Sequence, residues 1–132
     1  MDIVADASAL MAVILNEPQR AELLRLTRGH SLISPGSIPW EVANAFSALV
    51  KRRRIVVSEA RRGFSIFESI PLRVVDVDLA NALAIAGQAN LYAYDAFLID
   101  CAVRHHAPLL TLDGDLKRAA VKHGARLLEV EA

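Results

Sequence analysis

The sequence predicts an α/β fold, a three-layer α/β/α domain built on a central, mostly parallel β-sheet. Short apolar runs rich in β-branched residues alternate with longer helical segments along the chain. Strands separated by helices pair in parallel through right-handed crossovers. Buried parallel strands are almost continuously apolar, and LLTL at residues 109–112 and RLLEV at residues 126–130 have this composition. We expect one such domain to span residues 1–132.

The N-terminal third predicts one strand followed by two helices. The segment DIVAD at residues 2–6 predicts the first strand, and residues 7–16 predict a helix that begins directly after it. A second helix is predicted for residues 18–28, because a proline in the first turn and a glycine just past the end are typical helix boundaries.

The middle of the chain predicts a short strand and two longer helices. The strand SLIS at residues 31–34 is closed by a Pro-Gly pair. Residues 38–54 predict an amphipathic helix, and residues 58–70 predict another that runs up to a proline. Gly63 interrupts the second helix, which indicates close packing at that position. One face of the first helix carries apolar residues: Val42, Phe46, Leu49 and Val50.

The C-terminal half repeats the alternation of strand and helix. RVVDV at residues 73–77 and PLLTL at residues 108–112 predict strands, with helices at residues 78–90 and 95–106 between them. The remaining predictions are a helix at residues 116–123, which a glycine ends, and a last strand at residues 126–130.

Composition and charge exclude several classes of protein. Hydrophobic residues make up 54% of the chain, and a single cysteine, Cys101, excludes a disulfide framework and a thiolate zinc site. No apolar run is long enough to cross a bilayer and no signal-peptide pattern opens the chain, so we expect a cytoplasmic protein without membrane contact. Lysine plus arginine balances aspartate plus glutamate at 15 each, so any attraction for nucleic acid must come from local patches.

Four carboxylates are placed to meet at one edge of the predicted sheet. Asp6 ends the first strand and Asp113 follows the PLLTL strand, so both open onto the carboxyl edge, where ligands bind in such sheets. Asp95 starts a helix and Glu41 lies in the first turns of another, and we expect both helices to begin at that edge. Carboxylate oxygens suit hard cations such as Mg²⁺ or Mn²⁺, which can activate water and orient a phosphate. The pattern favours a nuclease.

Each acid also has a structural interpretation that the sequence leaves open. Asp6 and Asp95 are equally well explained as helix N-caps, and Asp113 as a turn residue before a glycine. Glu41, taken alone, is more often a solvated helix residue. The argument for a site therefore depends on the combined placement of the four acids and on no single one of them.

Two polar residues close to these acids have two interpretations each. Asp115 is interpreted mainly as the N-cap of the helix at residues 116–123, with a supporting role in the site as the alternative. Ser8 is interpreted either as a helix cap or as a hydrogen-bond donor to Asp6.

Four short motifs resemble those of a known family. They are VADASAL around Asp6, WEVANAF around Glu41, YDAFLIDCA around Asp95 and TLDGDL around Asp113. In order and spacing they resemble the PIN domain, and in particular the VapC toxin ribonucleases of VapBC toxin–antitoxin pairs. The resemblance covers residues 3 to about 127. It implies a PIN fold, Mg²⁺- or Mn²⁺-dependent endoribonuclease activity on RNA, and a cognate antitoxin.

The resemblance also implies roles for individual residues. The four acids map onto the family's acidic quartet, and Asn44, Thr111 and Asp115 map onto frequent supporting positions. Asp100 departs from the pattern, because an apolar or small residue is expected there more often. Since it lies five positions after Asp95, it falls on a different face of the helix and should not disturb the site.

We expect the four acids to have different roles in binding metal and water. Asp6 and Asp95 are expected to be the most direct metal ligands. Asp113 would complete the site or bind a second metal, and Glu41 would ligate metal or orient the attacking water.

Three other features have both a structural and a functional interpretation. Trp40 fits core packing or a stacking platform for a base, and we expect core packing. The pair His105-His106 fits a helix C-terminus better than a metal site. The basic cluster is either a solvated helix end or a rim that contacts phosphates beside the cleft; it consists of Lys51, Arg52, Arg53 and Arg54, with Arg61 and Arg62.

Three alternative functions share features with this sequence. The DVD segment at residues 76–78 imitates the DxD of haloacid-dehalogenase-like phosphatases, but too little chain follows it for that architecture. A receiver-like signalling domain needs a late lysine where this chain has Asp113. The remaining alternative is a non-catalytic PIN fold that only binds RNA or a partner.

Two protein contacts are expected. The high aliphatic content for a short chain predicts a homodimer with a buried two-fold face. The family resemblance implies an antitoxin that inserts an apolar segment, with or without a basic side chain, near the acidic cleft, and the many aliphatic residues on the helices between residues 7 and 67 support it.

Overall fold

The computed structural model describes residues 1–130 and contains a four-stranded sheet in which all neighbouring strands are parallel. The strand order is β3-β2-β1-β4, so the first strand lies inside the sheet. This confirms the predicted α/β class with a parallel sheet. The strands are β1 (Asp2–Ala5), β2 (Ser31–Ser34), β3 (Leu72–Val74) and β4 (Leu109–Leu110).

Helices connect the strands and supply the outer layers. Within residues 1–130, none of them is both long enough and apolar enough to cross a membrane. The helices are α1 (Ala7–Ile14), α2 (Arg20–Thr27), α3 (Ile38–Lys51), α4 (Val57–Ser69), α5 (Leu79–Ala89), α6 (Ala93–Arg104) and α7 (Gly114–Lys122).

Two apolar clusters account for the layered arrangement. Ile3 and Leu110 pack with residues of α1 and α2 in one cluster. Their strand neighbours Val4 and Leu109 pack with residues of α3, α4 and α6 in the other. Because successive side chains of a strand point to opposite faces, the sheet is buried on both sides.

The packing of α3 against α4 explains the glycine that interrupts α4. A Cβ atom built on Gly63 would lie 2.5 Å from ring atoms of Phe46. That separation is far below van der Waals contact, so only a residue without a side chain lets the two helices approach here. The predicted close packing at this position is confirmed.

Three strands differ from the sequence prediction, and one of them, predicted for residues 108–112, is shortened to Leu109–Leu110 as β4. The strand predicted for residues 126–130 is wrong: its only β-contact is a single parallel bridge between Leu127 and Leu109. Its partner β4 has only two residues, because the chain beyond it turns into α7. The strand predicted for residues 73–77 ends early at Val74, since β2 beside it ends at Ser34 before a proline, which has no N–H to continue the ladder.

Four helix N-termini gather at the carboxyl edge of the sheet. Asp6 is the N-cap of α1 and Asp113 is the N-cap of α7. Glu41 and Asp95 lie in the first turns of α3 and α6. The fold thereby brings the predicted acids to the same edge, each from a different element.

Candidate active site

Asp6 is the most buried of the four acids and the centre of a hydrogen-bond network. Its side chain is 4% exposed. One carboxylate oxygen accepts from the backbone N–H of Ala9 at 3.0 Å and from the Ser8 hydroxyl at 2.7 Å, and the other accepts from the Thr111 hydroxyl. The Ser8 oxygen in turn accepts from the backbone N–H of Leu112 at 3.0 Å. This network fixes the end of β1 against the segment that follows β4.

Asp113 joins the same network from α7. Its Oδ1 accepts from the backbone N–H groups of Asp115 at 2.9 Å and Leu116 at 3.3 Å, and its own N–H donates to the Thr111 oxygen at 3.0 Å. The N-cap of α7 is therefore Asp113, and the N-cap interpretation of Asp115 is wrong. Asp115 lies two residues later, in the first turn of α7. It is exposed and forms an ion pair with Arg118.

Glu41 and Asp95 face the network from the two helices opposite. Glu41 is half-buried, and its Oε2 accepts from the Ser37 hydroxyl at 2.8 Å. Asp95 is also half-buried, but it does not cap α6, because that helix begins two residues earlier with Tyr92 as its N-cap. The N-cap alternative for Asp95 is thus excluded, whereas Asp6 is a cap as well as a candidate ligand.

Burial and mutual repulsion change the acidity of these groups in the same direction. Burial is the main cause that raises the pKa of Asp6, Glu41 and Asp95 above the usual range of carboxyl groups. Neighbouring charges raise each pKa further: Asp113 acts on Asp6, both Asp6 and Asp95 act on Glu41, and Asp113, Asp6 and Asp115 act on Asp95. The acids therefore lie within electrostatic reach of one another.

The chemistry of these donors fits a hard divalent cation. All are carboxylate oxygens, and in the described part of the chain no lysine or arginine forms an ion pair with any of the four. As the side chains stand, no three histidine, cysteine, aspartate or glutamate residues within 1–130 are close enough together to hold one ion. Uncompensated carboxylates repel one another, so in the absence of a cation separated carboxylates are the expected arrangement.

Two sets of predicted residues follow Glu41 along α3. Asn44 is exposed one turn after Glu41, on the same side of the helix, and its supporting role stays a prediction. The basic residues 51–54 are exposed at the C-terminal end of α3, and at 1.5 Å per residue they are about 15 Å along the helix from Glu41. They are therefore not immediately beside the acids, and their contact with RNA stays a prediction.

Two aromatic predictions have different outcomes. His105 ends α6 as its C-cap, with its ring Nε2 2.6 Å from the carbonyl oxygen of Asp76, which confirms the helix C-terminus interpretation. The expectation that Trp40 packs in the core is wrong, since its side chain is 73% exposed. Val42 is buried in the core, and Trp40, two residues earlier on α3, lies on a different face of the helix.

Ser37, whose hydroxyl donates a hydrogen bond to Glu41, is a residue of the site that was not predicted from the sequence. Its signal was present in the sequence, because a serine four residues before a glutamate at the start of a helix can reach that carboxylate along one face.

Comparison with known proteins identifies the family of the chain. The family model for the PIN domain matches residues 3–122. The ribonuclease VapC9 of Mycobacterium tuberculosis is 30% identical over 111 residues, which are 84% of this chain and 85% of VapC9. A VapC ribonuclease of Mycobacterium bovis matches over the same lengths.

Solved structures show the same fold at lower sequence identity. PAE2754 from Pyrobaculum aerophilum matches with a TM-score of 0.70 and 22% identity, covering 90% of this chain and 87% of that one. The VapBC2 structure from Rickettsia felis, bound to a DNA fragment from its promoter, matches with a TM-score of 0.64 and 16% identity over 98% of both chains. By fold, by family model and by its VapC relatives, the chain belongs to the PIN-domain family and, within it, to the VapC ribonucleases.

Proposed function

We propose that the chain is a metal-dependent endoribonuclease and the toxin of a VapBC-type toxin–antitoxin pair, with Asp6, Glu41, Asp95 and Asp113 as its catalytic carboxylates. The observation that carries the proposal is a group of carboxylates from four elements, with no basic residue of the described chain paired to any of them. Burial and neighbouring acids raise the pKa of three of them, Asp6, Glu41 and Asp95. Such a charge arrangement costs stability, and a site that would hold a divalent cation next to the substrate phosphate explains why it is present.

Asp6 and Asp95 are the residues proposed to hold the cation, with Asp113 and Glu41 completing its oxygen ligands. The Asp6 carboxylate has about four lone-pair sites, and its hydrogen bonds to Ala9, Ser8 and Thr111 use three of them, so one on Oδ2 remains for a cation. When bound, Mg²⁺ or Mn²⁺ supplies positive charge that orients the phosphate, makes water more acidic and neutralises the leaving oxygen.

The surrounding hydroxyl groups act as positioning residues. Ser8 and Thr111 fix the two oxygens of Asp6, and Thr111 also holds the backbone of Asp113. Ser37 holds one oxygen of Glu41 and leaves the other to face the cleft. Because the pKa of Glu41 is raised, its carboxylate is a better proton acceptor near neutral pH than an ordinary glutamate.

The proposed reaction is hydrolysis of the RNA backbone. A water oxygen forms a bond to phosphorus while the bond to the 3′-oxygen breaks, and that oxygen gains a proton. The attack does not use the 2′-OH, so the products are a 3′-hydroxyl and a 5′-phosphate.

The proposed protein partner is a cognate antitoxin. Support comes from the relative solved as VapBC2 and from the uncompensated acids, which suit a basic side chain of a partner. A basic group there would compete with the cation for the same carboxylates. A cytoplasmic location and the homodimer stay predictions of this proposal.

A cleavage assay tests the proposal. Purified protein should cut single-stranded RNA with Mg²⁺ or Mn²⁺, lose activity in chelator, and leave 5′-phosphate ends that a phosphate-dependent exonuclease degrades. Binding of RNA without cleavage under either metal would favour the non-catalytic PIN module instead.

A further inference from the structure

An apolar groove lies beside the acidic cleft and has a different character. It has a volume of about 700 Å³ and opens between the loop after β2, the start of α3 and the start of α6. None of the side chains that line it is charged. The neighbouring cleft, in contrast, is built from carboxylates.

The exposed aromatic residues of the chain, its tryptophan and tyrosines, all lie along this groove. The chain has one tryptophan and two tyrosines, and all three line the groove. Trp40 is 73% exposed, Tyr92 is 86% exposed and Tyr94 is 51% exposed. Aromatic side chains with a polar tip concentrate on surfaces where they bind a partner, and core packing does not explain any of these three.

The groove and the cleft share a wall. Trp40 directly precedes Glu41, and Tyr94 directly precedes Asp95. Ser37 lines the groove and donates its hydroxyl to Glu41 at 2.8 Å. A nucleotide whose phosphate sits at the carboxylates therefore has its base within reach of these rings.

One aromatic ring of the groove packs against a neighbour. Tyr94 and Phe97 form an edge-to-face contact with ring centroids 5.7 Å apart and the planes at 85°. This contact restricts the orientation of the Tyr94 ring, which remains 51% exposed.

We propose that this groove binds one base of the RNA next to the scissile phosphate, by stacking on Trp40 and Tyr94. The inference rests on the proposed function and names the part of the substrate that the cleft does not hold. An uncharged, planar base fits a neutral aromatic surface, whereas the neighbouring carboxylates disfavour a phosphate there. Stacking tolerates different bases, so the groove supplies affinity and register along the strand more than sequence choice.

Intrinsic fluorescence provides a direct test, because Trp40 is the only tryptophan. The Asp95→Asn protein, which is expected to leave RNA intact, is titrated in Mg²⁺ with a short single-stranded RNA. A base-free ribose-phosphate strand with the same number of phosphates is the control. Quenching by the RNA and none by the base-free strand is the expected result.

Kinetics test the same contact in the otherwise wild-type protein. Trp40→Leu keeps an apolar side chain but removes the stacking surface, and it should raise KM about tenfold with a smaller change in kcat. Trp40→Phe should restore most of the affinity. Leu83→Ala is the matched control, because Leu83 is 65% exposed on α5 and does not line the groove; its KM should equal that of the wild type.

The outcomes separate the groove from the catalytic proposal. Cleavage by wild type with an unchanged KM for Trp40→Leu, together with no base-dependent quenching, overturns the groove and leaves the nuclease standing. Weaker binding of an antitoxin by Trp40→Leu, with RNA kinetics unchanged, assigns the groove to a protein partner and also overturns the inference. If wild type cuts no RNA, the proposed function fails and the quenching titration alone decides the groove.

Discussion

Helix α6 carries two aspartates five residues apart, and their surroundings differ in kind. Asp100 is 2% exposed, and its carboxylate accepts from the backbone N–H of Asp78 at 2.7 Å, from the Asn81 side-chain amide at 2.7 Å and from Arg104 at 3.4 Å. Asp95 is half-buried and faces other acids, whose charges add to the effect of burial in raising its pKa.

These surroundings separate a structural acid from a functional one. Asp100 is surrounded by donors and a guanidinium, and it ties the N-terminus of α5 to α6. Its charge is compensated within the fold. Asp95 has no such compensation from residues 1–130, and an arrangement that costs stability in this way is typical of a site that serves activity.

Activity provides the largest expected contrast between the two residues. Asp95→Asn keeps the shape of the side chain but removes the charge that binds a cation, so RNA cleavage should fall more than about 100-fold, beyond the loss typical of residues that only support a ligand. Asp100→Asn should stay within about threefold of wild type, because it lies outside the cleft. Initial rates with Mg²⁺ and Mn²⁺ at a temperature where both variants are folded measure the contrast.

A contamination control accompanies this measurement. Asp6→Asn, purified in parallel, should be as inactive as Asp95→Asn. Full cleavage by the purified Asp95→Asn protein would remove Asp95 from the site, and equal losses for both α6 variants would mean that the two faces are not functionally distinct.

The free energy of unfolding should change in opposite directions in the two α6 variants. Asp100→Asn replaces an acceptor oxygen by an amide that faces N–H donors, and the buried groups left unpaired should lower the free energy of unfolding by about 2–3 kcal/mol. Asp95→Asn should raise it in chelator, since it relieves repulsion. Urea unfolding of both variants and wild type decides, and a loss of stability in Asp95→Asn would identify that residue as structural.

Two buried hydroxyls offer a smaller version of the same comparison. Thr111 bonds to Asp6, whereas the Ser34 hydroxyl is buried and has no hydrogen-bond partner among the residues described. Thr111→Val should cost about 1–3 kcal/mol of stability, because it leaves an oxygen of Asp6 unsatisfied. Ser34→Ala should be neutral within about 0.5 kcal/mol or stabilising, and urea unfolding in chelator tests both. Equal losses for the two variants would show that the Asp6 network has no special role.

A divalent cation should distinguish wild type from Asp95→Asn by stability alone. Binding to the folded state only, at ten times its dissociation constant, stabilises by about 1.4 kcal/mol. Melting temperatures with and without Mg²⁺ or Mn²⁺ should therefore rise for wild type and for Asp100→Asn, but much less for Asp95→Asn. An equal rise in all three proteins would place the cation elsewhere.

The comparison also shows where sequence reasoning succeeds and where it stops. The placement of Asp6 and Asp113 follows from strand order, because parallel strands end at one edge. The prediction that Asp100 lies away from the site follows from helical spacing alone. The donors that surround it come from α5, and spacing within one helix says nothing about contacts between helices.

The errors have the same cause. The expectation that Trp40 packs in the core follows from the usual burial of large aromatic residues, but its exposure depends on which face of α3 meets the sheet. The last strand at residues 126–130 had a suitable composition, yet a strand pairs only over the length of its partner, and β4 has two residues. Both properties are decided by tertiary packing.

The pH dependence of the free energy of unfolding should differ only slightly between wild type and Asp95→Asn. This difference reports the electrostatic effect of the Asp95 charge. The folded-state pKa values of Asp6, Glu41 and Asp95 are raised, so the folded protein holds these protons more tightly than the unfolded chain does. Their contribution to stability is fully present below the unfolded carboxyl pKa of about 4 and is lost as pH rises through the folded values. Asp95→Asn has no such group at residue 95 and lacks that part of the pH dependence.

The stability advantage of Asp95→Asn over wild type in chelator should therefore be largest near pH 7 and shrink as pH falls toward 4. Urea unfolding of the two proteins between these limits measures the difference, and Mg²⁺ should abolish it at neutral pH. An advantage that grows on acidification would mean that the charge of Asp95 stabilises the fold, and the distinction drawn between the two faces of α6 would fail.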